Sequence, residues 1–518
     1  MENFKKNLAD RLLASVQLTF GQGACMLYSE SDEGFYCDFD IPPLTPQRFA
    51  QIAHQINAKD IGCAFELHHF SGVYEDGNAQ NRMLQRIYVT AFATKEELKQ
   101  YKTFVEEASQ RNHKALGSEM KLFESSNEIG QGLILWHPKG AMIRYLVESF
   151  GQKAHLLNGY EWVYTPHIGR AELWETSGHL QFYKDSMYSP LTIDGEAYYL
   201  KPMNCPFHIS IYNSEIHSYR DLPVKYAEYG TVYRYELSGA LNGLTRVRGF
   251  TQDDAHIICT PGQIEKEVTD ALQFSLYMLR SFGLVKFKAY VSTKPIHKFV
   301  GAEKDWETAT EVLKSAVTNA GLSYEIDEGG GAFYGPKIDL KLFDSLNREW
   351  QCSTIQFDFN LPERFKMFYV GADGQHHTPY MVHRALFGSL ERFMALLIEH
   401  YKGDFPFWLA PKQLGIVPVQ EAHEAYAKKI YKELTAQGFR VSILGGDSNM
   451  RSRIKRFTLE KIPYILVVGD KEAANGTFSV RGRKEGDVGV MDIPLLQKYL
   501  MPQIEQGIPQ CIFEEDQA

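Results

Sequence analysis

The sequence predicts a large central α+β domain around an antiparallel sheet, with a small α+β domain before it and an α/β domain after it. The 518 residues suggest roughly three domains at about 150 residues each. Aromatic, β-rich segments with few long helices fill residues 117–410, whereas strands alternate with amphipathic helices in residues 411–518. Residues 1–116 form the remaining segment.

The composition is that of an ordinary globular protein, with 44% hydrophobic and 23% charged residues. No apolar run is long enough to span a bilayer, and no secretory signal follows Met1, so we expect a cytoplasmic protein without a membrane partner. The net charge of −9 does not suggest a nucleic-acid binder, although a basic stripe can lie on an acidic protein. The seven cysteines contain no Cys-x-x-Cys pair, which argues against a disulfide framework.

The N-terminal segment, 1–116, combines helical and strand patterns. Apolar residues at helical spacing predict a helix over Leu8–Leu18, and β-rich runs predict strands at Gly34–Phe39 and Arg86–Phe92. Lys95–Lys114 is mostly charged and polar with a thin apolar stripe, which indicates an exposed connecting helix. We therefore expect a small α+β domain that ends in a linker.

The C-terminal segment, 411–518, has the strand and helix order of a small α/β domain. Gly438 stands where its first helix should stop. The predicted elements are the strand Leu414–Val419, the helix Glu421–Gln437, the strand Phe439–Leu444, the helix Ser448–Lys461, the strands Tyr464–Val468 and Thr477–Arg483, and the helix Pro494–Ile504.

The densest chemistry of the central segment lies in Tyr229–Cys259, where two β-rich stretches flank the loop Leu237–Gly243. Four charged side chains are predicted on the strands beside this loop: Arg234, Glu236, Arg246 and Arg248. Alternation along a strand places Arg234 and Glu236 on one face. Their role there could be purely structural, as part of a cross-strand ion pair. Several guanidinium groups beside a flexible loop also suit a bent triphosphate, and both interpretations stay open here.

Longer motifs in this region carry a family resemblance. Arg234-Tyr-Glu236, the loop, and Arg246-Val-Arg-Gly-Phe-Thr-Gln-Asp-Asp-Ala-His256 resemble motif 2 of class II aminoacyl-tRNA synthetases, in the form found in threonyl-tRNA synthetases. Further matching stretches are Lys201-Pro-Met-Asn-Cys-Pro206, Gly331-Ala-Phe-Tyr-Gly-Pro-Lys337, Trp350-Gln-Cys352, Val382-His-Arg-Ala-Leu-Phe-Gly-Ser-Leu-Glu-Arg392 and Trp408-Leu-Ala-Pro411. The resemblance implies a class II catalytic domain over 117–410 and an anticodon-binding domain over 411–518.

The resemblance implies ligation of L-threonine to threonine tRNA at the expense of ATP, through a threonyl-adenylate. A catalytic zinc is expected on Cys205, His256 and His383, and Mg²⁺ is expected with ATP. Arg234 should bridge the threonine carboxylate and the α-phosphate, Lys337 should contact a phosphate or carboxylate, and His179 should lie near the tRNA ribose. The implied ATP-binding residues are Arg234, Glu236, Arg246, Phe250, Gln351, Ser389 and Arg392. The implied threonine pocket consists of Met203, Gln252, Asp254, Tyr334 and Gln356.

Zinc ligation of the substrate amino and hydroxyl groups would explain amino-acid selection. A site built around a hydroxyl can reject an analogue that lacks it by roughly 10⁴–10⁵, which covers valine. Serine keeps both groups and loses only a methyl contact, which is worth about 10–200-fold. We therefore expect measurable activation of serine, with Asp254 accepting a hydrogen bond from the substrate hydroxyl.

Two parts of the chain depart from the family pattern. Glu472 and Arg481 match positions that read anticodon bases, but Asp447 stands in place of Asn and Lys455 in place of Arg. In residues 1–116 the stretches Glu33–Asp40, Pro43–Pro46 and Gly72–Ile87 resemble only the start and end of the family's editing domain. The histidine pair of that domain is missing, since the first histidine is His54. We expect a truncated remnant that does not edit seryl-tRNA in cis.

Three functional hypotheses remain open on the sequence. The first is an active threonine–tRNA ligase without editing, and the second is a synthetase-like regulatory, resistance or binding protein that no longer charges tRNA. The third is an enzyme that delivers activated threonine to a different acceptor, which the altered anticodon positions would favour. A homodimer is expected from the resemblance, because the stretch that begins with a helix over Met142–Leu156 and continues through Tyr160–Pro166 resembles the family's interface motif.

Overall fold

The computed structural model describes residues 4–21, 23–57, 63–75, 81–296, 299–343, 348–446 and 448–513. The chain divides into two compact units, Met1–Gln110 and Arg111–Ala518. None of the helices in the described ranges combines the length and the apolar character needed to cross a membrane. The predicted domain bounds, 1–116, 117–410 and 411–518, stay predictions.

The first unit contains an antiparallel sheet with strand order β1-β2-β4-β3 and helices that cover one of its faces. Its elements are α1 (Phe4–Phe20), β1 (Cys25–Ser31), β2 (Gly34–Phe39), α2 (Pro46–Asn57), β3 (Ala64–Tyr74), β4 (Met83–Phe92) and α3 (Lys95–Arg111). Alternation along β2 buries Phe35, Cys37 and Phe39 against Leu12 and Val16 of α1. The predicted α+β character is confirmed, but β1, α2 and β3 were not foreseen.

The predicted connecting helix, Lys95–Lys114, is wrong in its extent. Helix α3 ends at Arg111, and a separate helix α4 (His113–Met120) begins after Asn112. The Asn112 side chain accepts a hydrogen bond from the Lys114 backbone N–H at 2.9 Å, which caps the new helix. Charged periodicity alone did not reveal the break because asparagine also occurs within helices.

The second unit is built on a sheet with strand order β14-β13-β15-β16-β19-β12-β11-β7, antiparallel except for the outermost pair at each edge. The strands of this part are β5 (Phe123–Glu124), β6 (Leu135–Trp136), β7 (Glu161–Trp162), β8 (Ile168–Arg170), β9 (Leu191–Ile193), β10 (Glu196–Leu200), β11 (Val224–Tyr233), β12 (Gly249–Cys259), β13 (Phe287–Ser292), β14 (Tyr324–Asp327), β15 (Lys337–Phe343), β16 (Glu349–Asp358), β17 (Tyr369–Val370), β18 (His376–His377) and β19 (Tyr380–Ala385). Three small separate sheets are formed by β5 with β6, by β8, β9 and β10, and by β17 with β18. The helices are α5 (Pro138–Leu157), α6 (Ala171–Thr176), α7 (His179–Phe182), α8 (Cys205–Tyr212), α9 (Ile264–Ser281), α10 (Glu303–Asn319), α11 (Leu361–Arg364) and α12 (Leu390–Tyr401). The predicted antiparallel α+β core is confirmed.

The two faces of this sheet differ in chemistry because side chains alternate along each strand. Ala255 and Ile257 of β12 and Val382 of β19 belong to a large apolar core with residues of α5, α9 and α12. The intervening residues, such as Asp254 and His256, point to the opposite face and carry polar groups. The helices therefore hold one face rigid while the other is available for a site.

The C-terminal part contains a sheet with strand order β21-β20-β22-β23-β24, parallel across its first three strands and antiparallel beyond them. Its elements are β20 (Leu414–Pro418), α13 (Glu424–Ala436), β21 (Val441–Ile443), α14 (Met450–Leu459), β22 (Tyr464–Val468), α15 (Asp470–Asn475), β23 (Phe478–Gly482), β24 (Gly486–Met491) and α16 (Ile493–Glu505). Gly438 adopts a φ of +89° just beyond α13, as expected for a helix stop. The α/β prediction is confirmed, although α15 and β24 were missed.

Candidate active site

A cavity of about 460 Å³ opens on the polar face of the central sheet. The residues predicted for ATP and threonine that line it are Arg234, Glu236, Arg246, Phe250, Gln351, Ser389, Arg392, Met203, Gln252, Asp254, Tyr334 and Gln356. The predicted metal ligands line the same cavity. The fold thus gathers residues from distant motifs around one space, while their individual roles stay predictions.

The three predicted metal ligands converge at one end of this cavity. Cys205 opens helix α8, and His256 and His383 are directly paired residues on the antiparallel strands β12 and β19. Nε2 of His256 lies 2.9 Å from Nδ1 of His383, and the ligand atoms of all three residues lie within 4.8 Å of one another. Within the ranges that the structure describes, no other group of this kind has such geometry.

The donor chemistry of these three side chains fits zinc. One thiolate and two imidazoles match the ligand types that zinc prefers, and three protein ligands leave coordination positions open. Burial raises the pKa of the Cys205 thiol, and the nearby carboxylates of Asp254 and Asp358 raise it further. A cation among the three ligands would favour the thiolate, which is the form that binds metal.

Asp254 lies beside the three ligands on strand β12 and is 9% exposed. Its Oδ2 accepts a hydrogen bond from Asn204 Nδ2 at 3.0 Å, and its Oδ1 lies 4.0 Å from His256 Nε2. Burial raises the pKa of this carboxyl, although the hydrogen bond from Asn204 lowers it. Asp254 can therefore present an acceptor oxygen to a hydroxyl group held near the histidines.

The same cavity also contains a group of cations. The guanidinium groups of Arg234, Arg246 and Arg392 all line it. Burial lowers the pKa of Arg392, and the positive charges of Arg234 and Arg246 add to that effect. The carboxylate of Glu236 accepts a hydrogen bond from Arg246 Nε at 2.9 Å and compensates part of the charge. Guanidinium groups that converge in this way are suited to a polyphosphate.

The prediction that these charged residues lie on strands is wrong. Strand β11 ends at Tyr233 and β12 begins only at Gly249, so Arg234, Glu236, Arg246 and Arg248 belong to the connecting segment. Arg248 Nε donates to the Glu236 carbonyl oxygen at 2.9 Å, which joins the end of the segment to its beginning. The backbone ladder continues for one bond beyond the strands, from the Arg234 N–H to the Arg248 carbonyl at 2.9 Å. Beyond that bond, side-chain-to-backbone bonds help to hold the segment that carries Arg234 and Arg246 into the cavity lining.

The aromatic ring of Phe250 lies against the guanidinium group of Arg234. The guanidinium carbon of Arg234 lies 5.0 Å from the ring centre. Arg392, the predicted second wall for adenine, donates from Nε to the Thr245 carbonyl at 3.2 Å. Its backbone N–H donates to Ser389 Oγ at 3.1 Å, so Ser389 caps helix α12. The adenine sandwich stays a prediction.

Two predicted catalytic residues do not line the cavity. Lys337 on β15 forms an ion pair with Asp339 at 2.6 Å, and Asp339 in turn accepts a hydrogen bond from Gln351 Nε2 at 2.7 Å. His179 is buried, with Nδ1 bonded to Ser177 Oγ at 2.7 Å and Nε2 3.0 Å from the Met203 sulfur. Burial, together with nearby positive charge, lowers the pKa of His179 to about 3. His179 therefore contacts a lining residue directly, whereas the Lys337 side chain is linked to one, Gln351, through Asp339.

The predicted anticodon residues lie in the C-terminal part, away from the cavity lining. Lys455 on α14 and Arg481 on β23 are exposed. The Glu472 carboxylate accepts hydrogen bonds from the Gly469 N–H and from Ser479 Oγ, both at 3.0 Å, so it also caps helix α15. Asp447 lies outside the described residues.

Sequence reasoning missed several polar residues around the site: Asn204, His208, Glu228, Thr354 and Asp358. A signal existed for two of them. Asp358 stands two residues after Gln356 on β16 and therefore shares its face. His208 stands three residues after Cys205 on α8, which places both on one side of the helix. Their partners could not be read from the chain.

Comparisons with known proteins give matches over most of the chain. The tRNA synthetase class II core domain (G, H, P, S and T) matches residues 189–401, and the anticodon binding domain matches residues 413–500. A solved structure described as the RNA binding domain of threonyl-tRNA synthetase from Cryptosporidium parvum Iowa II is 38% identical with a TM-score of 0.74. The match covers 78% of this chain and 100% of that one.

Two relatives extend the similarity. The threonine–tRNA ligase of Aquifex aeolicus is 52% identical over 437 residues, which cover 84% of this chain and 68% of that protein. The threonine–tRNA ligase of Borrelia turicatae is 53% identical over 432 residues, which cover 83% of this chain and 74% of that protein.

Proposed function

The chain belongs to the threonyl-tRNA synthetase family, and from that premise we propose that it joins L-threonine to threonine tRNA through a threonyl-adenylate. Its class II core and its anticodon-binding domain are those predicted from the sequence. The observation that carries the proposal is the single cavity in which three guanidinium groups face a buried cysteine and two histidines. The cations suit ATP, and the cysteine–histidine end suits an amino acid with a hydroxyl.

We propose that Cys205, His256 and His383 hold a zinc ion. When bound, zinc supplies positive charge and open positions for the amino and hydroxyl groups of threonine. Asp254, whose Oδ1 lies 4.0 Å from His256 Nε2, is placed to accept a hydrogen bond from the substrate hydroxyl. Valine lacks that hydroxyl and would leave Asp254 Oδ1 without the hydroxyl donor that threonine supplies, although Asn204 would still donate to Oδ2.

At the cationic end we propose that Arg234, Arg246 and Arg392 bind ATP, which threonyl-tRNA synthetases use with Mg²⁺. Arg234 lies closest to the amino-acid end, since its Nε donates to the Pro202 carbonyl at 3.3 Å beside Met203. It is therefore the residue suited to bridge the substrate carboxylate and the α-phosphate. Its charge would stabilise the negative charge that builds up as the carboxylate attacks.

Threonine-dependent ATP–pyrophosphate exchange and charging of a threonine tRNA transcript test the proposal together with the zinc content. Arg234→Ala should lower the exchange rate by roughly 10²–10³-fold, as expected for the loss of a preorganised charge. Arg220→Ala is the control, because Arg220 is exposed and bonds to Tyr219 outside the cavity. Absence of threonine-dependent exchange in the unaltered protein would refute the proposal.

We also propose that this chain does not hydrolyse seryl-tRNA. Residues Met1–Gln110 form their own compact unit around a sheet, and no cysteine–histidine group suited to a metal occurs among its described residues. Serine should be activated with a kcat/KM about 10–200-fold below that of threonine, because only a methyl contact is lost. Hydrolysis of preformed seryl-tRNA by the unaltered protein would contradict this part of the proposal.

We propose a homodimer in which helix α5 contributes to the interface. The support is a set of large hydrophobic side chains that are exposed on and after this helix: Tyr145, Leu156, Leu157 and Tyr164. Clusters of this kind mark interaction surfaces when they are contiguous. Sedimentation equilibrium should give twice the mass of one 59.2 kDa chain, and a monomer at micromolar concentration would refute the dimer.

A second candidate is transfer of activated threonine to a different acceptor. One observation favours it: Lys455 is exposed on α14 at a position where the family pattern has arginine. Lysine cannot copy a bidentate guanidinium contact. Efficient pyrophosphate exchange without charging of any threonine tRNA transcript would favour this candidate over the first.

A further inference from the structure

A buried chain of polar side chains lies behind the metal ligands. His208 on α8 and Glu228 on β11 are 0% and 2% exposed, and neither residue lines the cavity. Both residues are connected to His256, which does line it. The activity proposed above assigns them no role, so their geometry requires its own explanation.

The chain starts at the Glu228 carboxylate. Its oxygens accept hydrogen bonds from Thr165 N–H at 3.2 Å and from Thr165 Oγ at 2.7 Å. The Lys201 ammonium donates to Thr165 Oγ at 2.7 Å and lies 3.8 Å from Glu228 Oε1, which supplies the opposite charge that a buried carboxylate needs. Glu228 is therefore held ionised, as a pure hydrogen-bond acceptor.

An acceptor at Glu228 fixes the proton on His208. Oε1 of Glu228 lies 3.1 Å from Nε2 of His208, so this ring nitrogen must carry the hydrogen. The other nitrogen of a neutral imidazole is then an acceptor. It faces Nδ1 of His256 at 2.7 Å. Because Lys201 already supplies the positive charge beside Glu228, His208 can be neutral, and with a neutral His208 it is His256 that donates from Nδ1 in this bond.

This proton arrangement determines which nitrogen lone pairs His256 and His383 present at the cavity. With its hydrogen on Nδ1, His256 presents a lone pair from Nε2. His383 donates from Nε2 to Asp358 Oδ2 at 2.8 Å, so its Nδ1 also presents a lone pair. These two nitrogens face each other at 2.9 Å, an arrangement in which both lone pairs repel unless a cation lies between them. The carboxylates of Glu228 and Asp358 thus each orient one histidine ring, so that the lone pairs of His256 Nε2 and His383 Nδ1 point to the same place.

We propose that Glu228 and His208 are positioning residues that fix the tautomer of His256 and thereby the strength of metal binding. The inference rests on the proposed zinc site and deepens it. Outer residues that orient a metal-bound histidine contribute about 10–100-fold to metal affinity. Here the carboxylate acts across two rings, and not through the direct contact that Asp358 makes with His383.

The test is zinc affinity of the full chain, measured by competition with a chromophoric chelator, together with the visible absorption of the cobalt-substituted protein. His208→Leu removes the acceptor opposite His256 Nδ1 and should weaken zinc binding about 10–100-fold. His208→Asn restores an oxygen near the position of Nδ1 and should recover most of the affinity. His155→Leu is the matched control, because the His155 ring is buried to a similar degree but its Nδ1 bonds to the Gly151 carbonyl and not to a proposed metal ligand.

The possible outcomes separate the two proposals. Failure of the unaltered protein to bind zinc would overturn the metal site itself, whereas unchanged zinc affinity in His208→Leu would overturn only the role of His208. An equal loss of affinity in His155→Leu would also overturn it, since that result would indicate a general effect of core damage. If His208→Leu does not fold, ¹⁵N-histidine spectra of the unaltered protein decide the question: a hydrogen on Nδ1 of His256 is expected, and one on Nε2 would refute the proposal.

Discussion

Replacing Asp254 by asparagine tests the amino-acid end of the cavity with the smallest change in shape. The Asp254 carboxylate is buried, accepts a hydrogen bond from Asn204 at 3.0 Å and lies near His256. Asparagine keeps the volume but removes the negative charge and one acceptor oxygen. Any substrate hydroxyl that donates to Asp254 would lose a charge-assisted hydrogen bond.

The expected magnitude follows from the energy of that bond. A hydrogen bond to a charged group contributes about 1.5–3 kcal/mol, which corresponds to a roughly 10- to 150-fold lower kcat/KM for threonine. The KM for ATP should change little, because the proposed ATP residues Arg246 and Arg392 bond to Glu236 and Thr245 and not to Asp254. The assay is ATP–pyrophosphate exchange over a range of threonine concentrations.

Asp253→Asn is the matched control, since the two carboxylates are neighbours on β12 but point to opposite faces. Asp253 accepts hydrogen bonds from the backbone N–H groups of Leu386 at 2.9 Å and Phe387 at 3.0 Å. Its substitution should lower thermal stability and leave the KM for threonine nearly unchanged. The reasoning is refuted if Asp254→Asn retains the original kcat/KM, or if both variants lose threonine activity equally.

Three further predictions address other parts of the molecule. Arg392→Ala should raise the KM for ATP roughly 5- to 30-fold through loss of stacking, with little change in the KM for threonine; a changed threonine KM alone would contradict the assignment. Burial acts to raise the pKa of Glu399, but hydrogen bonds from His113 hold that pKa below its ordinary value. The ionised carboxylate therefore stabilises the fold at neutral pH, and this contribution is lost as the pH falls. Glu399→Gln should therefore lower the free energy of unfolding in urea by about 1–3 kcal/mol at neutral pH and by less below about pH 4. An equal difference in unfolding free energy between variant and unaltered protein at both pH values would contradict this prediction. Lys455→Arg should raise the charging efficiency of threonine tRNA roughly 3- to 10-fold without altering pyrophosphate exchange; equal changes in both assays would rule out an anticodon effect.

Regular strands and helices were predicted best where burial imposes a simple period. Tyr464–Val468 is a strand over the predicted residues, because β-branched side chains that are buried strongly favour extended backbone. The N-terminal strands β1 and β3 were missed because their exposed and bulged residues break the alternation. The break at Asn112 and the irregular segment from Arg234 to Arg248 were missed for a related reason, since side-chain bonds to the backbone decide them.

The sequence by itself determined which chemical groups the site contains. The motifs around Cys205, His256 and His383 supply the proposed metal ligands, because residue type alone limits what a side chain can donate or accept. Only the tertiary structure decided the partners of these groups. Lys337 bonds to Asp339, and Glu228 is connected to His256 through the ring of His208. Hydrogen bonds and ring tautomers depend on distances of about 3 Å between residues that are far apart in the chain, and packing alone sets those distances.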